Sequence, residues 1–326
     1  MDRIVGMGNA LTDVLAMLSS DKLLEEANLP KGSMTLINEE KLQQINRYFS
    51  SMDVHLALGG SAGNTIRGLA CLGTQTGFIG KVGDDEYGRF YRKNLQERGT
   101  EAYLLTSQTL PSGVASTFIS TDGERTFGTY LGAAAAMNAE ELNAAMFKDY
   151  TYFYVEGYIV QDHNLMLRAI ELAKEAGLQV CIDLASYNIV DAEREFFSLL
   201  INKYVDIVFA NEEEARAFTG KEPEPALDEL GRKCSVVVIK MGAKGSLIRK
   251  GTEMVHLAVA KPVKAVDTTG AGDYYAAGFL YGLTCGYQLE RCGKIGALLA
   301  ERIIQVVGAE LPDTAWEEIK TEISRL

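Results

Sequence analysis

Histidine is scarce in this 326-residue sequence, and its three copies, His55, His163 and His256, stand apart from one another and from every cysteine. That argues against a structural zinc site, which needs His and Cys at close spacing. The five cysteines are scattered, odd in number and without a Cys-x-x-Cys pair, a set that reads as reduced thiols in a cytoplasm. Proline is sparse too: six dispersed residues, with no Pro- or Ser-rich linker, repeat or low-complexity tract. The length then allows one large α/β domain or two ordinary ones. Gly or charge interrupts every apolar stretch well short of a bilayer span. The start, Met1-Asp2-Arg3-Ile4-Val5-Gly6, passes straight into strand-like sequence, so no targeting peptide is expected. Positive charge is in deficit, 32 Lys+Arg against 44 Asp+Glu, for a net −12. The chain as a whole repels polyanions, which argues against nucleic acid or an anionic membrane as partner. Any phosphate must be held by a local device, such as a helix N-terminus or a metal ion.

What is present has the balance of a soluble globular protein, 47% hydrophobic and 23% charged. Apolar runs that read as buried strands include Ile4–Met7, Thr76–Ile79, Thr151–Val155, Gln179–Ile182, Ile207–Phe209 and Val236–Ile239. Helical patterns such as Asp162–Ala176 and Asp191–Ile201 lie between them. The alternation predicts one α/β domain, a largely parallel sheet with helices on both faces. Ligands bind at the carboxyl ends of such strands. Two segments, about 11–36 and 101–130, break the rhythm with short alternating runs. Val114–Ser120 and Arg125–Tyr130, around Thr121-Asp122-Gly123-Glu124, read as a β-hairpin. Together the two segments suggest a small β-sheet lid over a cleft, or else two surface excursions.

Two glycine-rich motifs carry the chemistry. Asp267-Thr268-Thr269-Gly270-Ala271-Gly272-Asp273 precedes the apolar run Tyr274–Cys285. Small residues before a helix leave backbone N–H groups uncovered, and with the positive end of the dipole they form an anion hole. Such a hole suits the charge on a transferring phosphoryl group. Asp273, in the first turn, is positioned to accept a proton from an attacking hydroxyl, and the dipole is expected to keep it ionised and weakly basic. The plainer alternative is a Gly-rich turn with an Asp favoured near an N-cap. Earlier, Gly59-Gly60-Ser61-Ala62-Gly63-Asn64-Thr65 allows close backbone approach to a ligand, and Asn64 offers a donor and an acceptor to a polyol. Neither the P-loop nor the dinucleotide spacing is met.

In this order and separation, the two motifs resemble the signatures of the ribokinase/PfkB carbohydrate kinases, and the likeness extends from Gly8-Asn9 to the last helices. The resemblance implies an ATP- and Mg2+-dependent phosphotransferase, with Asp273 as base and Gly270, Ala271 and Gly272 as anion hole. Tyr274 departs from the small residue of many relatives. By the same resemblance Asn9, Asp13 and the Gly59-Gly60…Asn64 loop bind the acceptor, while Asn211-Glu212-Glu213-Glu214 organises Mg2+ and phosphates through water. Asn211 and Glu214 also have the spacing of a capping box. Lys240, Gly242 and Gly245 correspond to the turn beside the nucleotide, though on spacing alone they form a hairpin turn between Val236–Ile239 and Leu247–Arg249. Many relatives bind a monovalent cation such as K+ near residues like Asp267, which the sequence leaves open.

Within that family the N-terminal third is most similar to adenosine kinases, through Gly8-Asn9-Ala10-Leu11-Thr12-Asp13, Leu23–Leu36 and Thr129–Ala136. That likeness assigns Leu11, Leu36, Phe127 and Tyr158 to a purine, since apolar and aromatic side chains suit a flat base. The alternative makes them lid-core residues of a sugar kinase for ribose, fructose or a keto-deoxy sugar acid. Glu156, a departure from adenosine kinases, would then bind a sugar hydroxyl. A non-catalytic nucleotide- or sugar-binding regulator is a third reading, against which stands the intact Asp273. The protein is expected to work as a monomer or homodimer.

Overall fold

The computed structural model describes residues 2–259 and 263–326. Strands are numbered along the chain. The large sheet holds β1 (Ile4–Met7), β5 (Thr76–Gly83), β6 (Glu101–Ser107), β9 (Tyr152–Glu156), β10 (Gln179–Asp183), β11 (Ile207–Asn211), β12 (Val236–Lys240), β13 (Ser246–Lys250) and β14 (Glu253–Leu257). Its order is β14-β13-β12-β11-β10-β9-β1-β5-β6. Pairings from β6 across to β12 are parallel, and β12-β13-β14 are antiparallel. Successive residues of one strand feed opposite cores: Val5, Phe153, Val208 and Val237 join one cluster, Ile4, Tyr154, Phe209 and Val238 the other. Both faces are therefore covered by helices, which is why these strands are continuous apolar runs. Each buried large side chain contributes about 1.5–3 kcal/mol.

The small sheet, β3-β8-β7-β2-β4, comprises β2 (Leu11–Met17), β3 (Met34–Leu36), β4 (Val54–Gly59), β7 (Gly113–Ile119) and β8 (Arg125–Tyr130). Val14, Ala16, Val114 and Phe118 bury one of its faces against Leu42, Ile45 and Phe49 of the helix Glu39–Phe49. The opposite face carries Leu11, Asp13 and Leu15. β7 and β8 are the expected antiparallel hairpin. Two boundaries differ from the sequence reading. Glu101–Ser107 is the edge strand of the large sheet, and its half-polar alternation reflects one solvated side. Val54–Gly59, which runs into the first glycine-rich loop and was not among the expected strands, belongs to the small sheet. The stretch read as one helix, 191–201, is two, Tyr187–Ala192 and Arg194–Lys203, parted at Glu193 (φ −114°, ψ 23°).

The helix Ala271–Thr284 is buried on nearly every side. It lies so close to the helix Leu289–Ile303 that a Cβ on Gly278 would come within 2.6 Å of the Ile295 carbonyl oxygen. That packing fixes the direction in which its N-terminus points.

Candidate active site

Gly270, the N-cap of Ala271–Thr284, has φ +76°, a left-handed conformation that glycine adopts without strain. No side chain caps the first turn. The Ala271 and Tyr274 amides bond to the Thr268 and Gly270 carbonyls, which leaves the Gly272 and Asp273 N–H groups of the first turn for a ligand. The helix Ser61–Cys71 starts opposite. Its Ser61 Oγ donates to Asp273 Oδ1 at 2.7 Å and its Asn64 Nδ2 to Asp273 Oδ2 at 2.9 Å. Burial raises the Asp273 carboxyl to about 6; those two hydrogen bonds and Lys240 pull it down, and Asp183 pushes it up. Enclosure thus makes Asp273 more basic than the dipole alone would leave it, while a carboxyl at about 6 stays mainly ionised at neutral pH. Asn64 spends one of its two amide N–H groups on Asp273, and its Oδ1 is buried without a partner among the described residues.

Lys240 was assigned by resemblance to the nucleotide turn, yet its ammonium points at the anion hole. A Cβ on Gly272 would lie 3.0 Å from Lys240 Nζ. Lys240 Nζ donates to Asp183 Oδ2 at 2.7 Å. Burial depresses this ammonium, but Asp183, Glu214 and Asp273 outweigh it and hold its pKa above the ordinary value. Asp183 escaped the sequence reading; the available signal was a carboxylate at the carboxyl end of a parallel strand. Asn211 and Glu214 form the capping box, with Asn211 N and Nδ2 donating to Glu214 Oε2 and Oε1 at 2.8 and 2.7 Å. Burial, with Asp183 nearby, raises Glu214 to about 7. Gly242 opens to space, whereas a Cβ on Gly245 would strike the Leu257 carbonyl, so Gly245 serves the hairpin.

Glu156 is 1% exposed, with Oε1 accepting from Asn9 N and Nδ2, both at 2.8 Å, and Oε2 from Ala62 N at 2.9 Å. With its oxygens so engaged it binds the two loops together and is not free for a sugar hydroxyl, which corrects the sequence reading. Asn9 in turn spends its amide donor on Glu156. Gly59 and Gly60 lie against Asp13 and the Asn9 carbonyl, where any Cβ would collide, and so make room for those groups.

The cleft face of the small sheet is set by register. One row across it reads Leu36, Thr129, Ala115, Asp13, Ala57; the next reads Met34, Phe127, Thr117, Leu15, His55. Leu11 lies one row beyond Asp13. Burial of its carboxyl raises Asp13 to about 7 against the pull of Arg67 and Arg125. Leu11 and Phe127 are half-buried, Leu36 is exposed, and Tyr158, from the turn after β9, is 38% exposed. Arg125 of β8 reaches across to the anion-hole loop: Nη1 lies 2.5 Å from Asp267 Oδ2 and 3.1 Å from Thr269 Oγ1, and Nη2 is buried without a partner. Sequence reasoning missed Arg125, though it directly follows the hairpin turn. It missed Arg67 as well, the one charge in an otherwise small and apolar helix, which donates to the Tyr274 hydroxyl at 3.3 Å. Tyr274 in turn donates to the Ala309 carbonyl and stacks on Trp316.

Residues 38–316 match the pfkB family of carbohydrate kinases. The chain belongs to that family. As a kinase of this family it transfers a phosphoryl group, with ATP as donor, to a hydroxyl of a sugar or nucleoside. The matched segment takes in both glycine-rich motifs but begins after Asn9, Leu11, Asp13 and Leu36. Solved structures like it include a probable sugar kinase from Rhizobium etli CFN 42, 32% identical with a TM-score of 0.86, covering 100% of this chain and 99% of that one. An adenosine kinase from Sinorhizobium meliloti is 34% identical with a TM-score of 0.83, covering 97% and 99%. An adenosine kinase of Schizophyllum commune is 30% identical over 96% of this kinase and 97% of its own length. Among the described residues, no helix is long and apolar enough to cross a membrane.

Proposed function

We propose that this kinase phosphorylates a hydroxyl of a nucleoside, adenosine or a close analogue. The observation that carries the reading is the cleft face of the small sheet. There Asp13 sits between Ala57 and Ala115, on a face whose rows also carry Leu11, Leu36 and Phe127 with Thr117, Thr129 and His55. Asp13 suits ribose hydroxyls, the small alanines leave room, and the apolar side chains suit a base. Arg125, the guanidinium on this face, is paired with Asp267 through Nη1, and in this reading its Nη2 serves the phosphoryl oxygens and not the carboxylate of a sugar acid. The adenosine kinases among the similar proteins favour the same acceptor.

In this reading Asp273 takes the proton of the attacking hydroxyl, held by Ser61 and Asn64 in the geometry that transfer requires. The amides of Gly272 and Asp273 stabilise the phosphoryl oxygens, with the Lys240 ammonium beside them and Arg125 bonded to the neighbouring 267–269 loop. The small sheet acts as a lid that excludes water. Among the described residues no three His, Cys, Asp or Glu side chains converge on a metal site. Asp183, Glu214 and Asp273 nonetheless surround the one Lys240 ammonium. That set fits a hydrated Mg2+ held chiefly by phosphate oxygens, with Glu214 towards its water shell. When bound, Mg2+ neutralises charge on the phosphates.

The test is phosphorylation of adenosine against ribose, fructose and 2-keto-3-deoxygluconate at equal concentrations, followed by ADP release. Adenosine should lead. Turnover of a free sugar far above adenosine overturns the acceptor while leaving the kinase intact.

A further inference from the structure

The loop that opens the Ala271–Thr284 helix contains a carboxylate whose recorded contacts are all donors. Asp267 is 7% exposed. Its Oδ1 accepts from Thr269 N at 3.0 Å, and its Oδ2 from Gly308 N at 2.8 Å and from Arg125 Nη1 at 2.5 Å. A monovalent cation beside the anion hole needs oxygens with outward lone pairs and no positive charge adjacent. Here the carboxylate carries two amides and a guanidinium, and an ion on it would sit against like charge in a closed environment. The residues do not fit such an ion.

We propose that Arg125, carried by the small sheet, occupies the place of a monovalent cation beside the anion hole, so that turnover needs no K+ and the compensating charge arrives only when the small sheet docks. The proposal rests on the reading of residues 270–273 as the transfer site. Arg125 belongs to β8, whereas Asp267, Gly308 and the hole belong to the body of the large sheet. An ion bound to that body would remain whether the small sheet is up or down. A guanidinium leaves with its strand. The second guanidinium nitrogen, Nη2, is buried and has no partner among the described residues, which leaves it for an oxygen that a ligand brings. The loop's own hydrogen bonds survive without the arginine, since Thr269 N and Gly308 N belong to the large body, so the device controls charge and not folding of the loop.

The experiment compares chlorides of K+, Na+ and choline at one ionic strength and fixed Mg2+. It has two readouts: initial ADP release with adenosine, and the melting temperature without nucleotide. The wild-type enzyme should show the same rate and melting temperature in all three salts. Arg125→Met should be slower, and its melting temperature should rise saturably with K+ over choline, because the freed carboxylate now binds an ion that only the folded state holds. Saturable activation of the wild type by K+ of about fivefold or more, the lower end of ordinary coupling between an effector and a site, overturns the proposal. So does an Arg125→Met variant whose melting is blind to K+. Loss of the kinase reading would be seen separately, as no ADP release in any salt, and the melting comparison would still decide the proposal.

Discussion

The two sheets hold their site residues by different means. On the large sheet and its helices each ionisable side chain near the cleft is fixed by short contacts from its own body: Asp273 by Ser61 and Asn64, Glu156 by Asn9 and Ala62, Lys240 by Asp183. On the small sheet Asp13 and Phe127 are aimed by strand register, and Arg125 is tied across the cleft by one ion pair. The first arrangement suits chemistry, where misplacement of about an ångström is costly. The second suits the mobile lid proposed for the small sheet.

The sharpest break of this comparison is Asp273→Asn. Under the proposed assignment kcat falls by about two to four orders of magnitude, with KM for ATP little changed in steady-state ADP release. Wild-type kcat/KM should rise with pH between about 6 and 7 as Asp273 and Asp13 ionise, and the variant should lose the Asp273 part of that limb.

Gly272→Val comes next. Its side chain would press on Lys240 Nζ and on the hole, at a cost of about a few kcal/mol in transition-state stabilisation. The protein should keep its circular dichroism and lose nearly all activity; full activity means those amides do not face phosphate.

Smaller effects separate the two sheets. Tyr158→Ala and Phe127→Ala should each raise KM for the nucleoside by the worth of one stacked base, about 1–3 kcal/mol, with kcat less affected. Equal losses with ribose as acceptor would argue for lid-core roles instead.

The large body should also reveal its enclosed carboxylates through stability. Glu156 and Glu214 are raised to about 7 and Asp273 to about 6, all above their unfolded values. The folded state therefore holds more protons than the unfolded state across this window. Stability of the ligand-free enzyme should fall as pH rises from about 4 to 7, read as a declining melting temperature. A flat profile would mean these groups are better solvated than the packing indicates.

The smallest expected effect is protection from proteolysis. Cleavage at the exposed turn Thr121–Glu124 should slow on adding adenosine, while Pro111–Gly113 should resist throughout, because Ser112 is buried and donates twice to Asp85. Unchanged cleavage at Thr121–Glu124 counts against a closing lid.

The central strands were legible in the sequence because residues buried on both faces must be apolar without alternation, as Ile207–Phe209 and Val236–Ile239 are. The helix Ala271–Thr284 was legible because Gly270 and Gly272 stand at the head of an apolar run. Edges were harder: β6 and β4 have one solvated side, so their pattern does not say which sheet they join. What stayed hidden was pairing at long range. Lys240 meets Asp183 across 57 positions and Arg125 meets Thr269 across 144; no local spacing encodes either. Glu156 was noticed as a departure, but its partners follow only from the adjacency of β1, β9 and the Ser61–Cys71 helix.

The Ser61–Asp273 hydrogen bond joins residues 212 positions apart. Closing so long a loop costs entropy before any contact repays it, and contacts of such separation form slowly. The proposed transfer site is therefore assembled by the meeting of two distant stretches of the chain. A polypeptide still emerging from the ribosome, with its first glycine-rich loop already made, lacks the carboxylate that loop must hold. Recovery of activity on refolding should then lag behind the return of helical signal, since the last geometry to form is the one that turns over substrate.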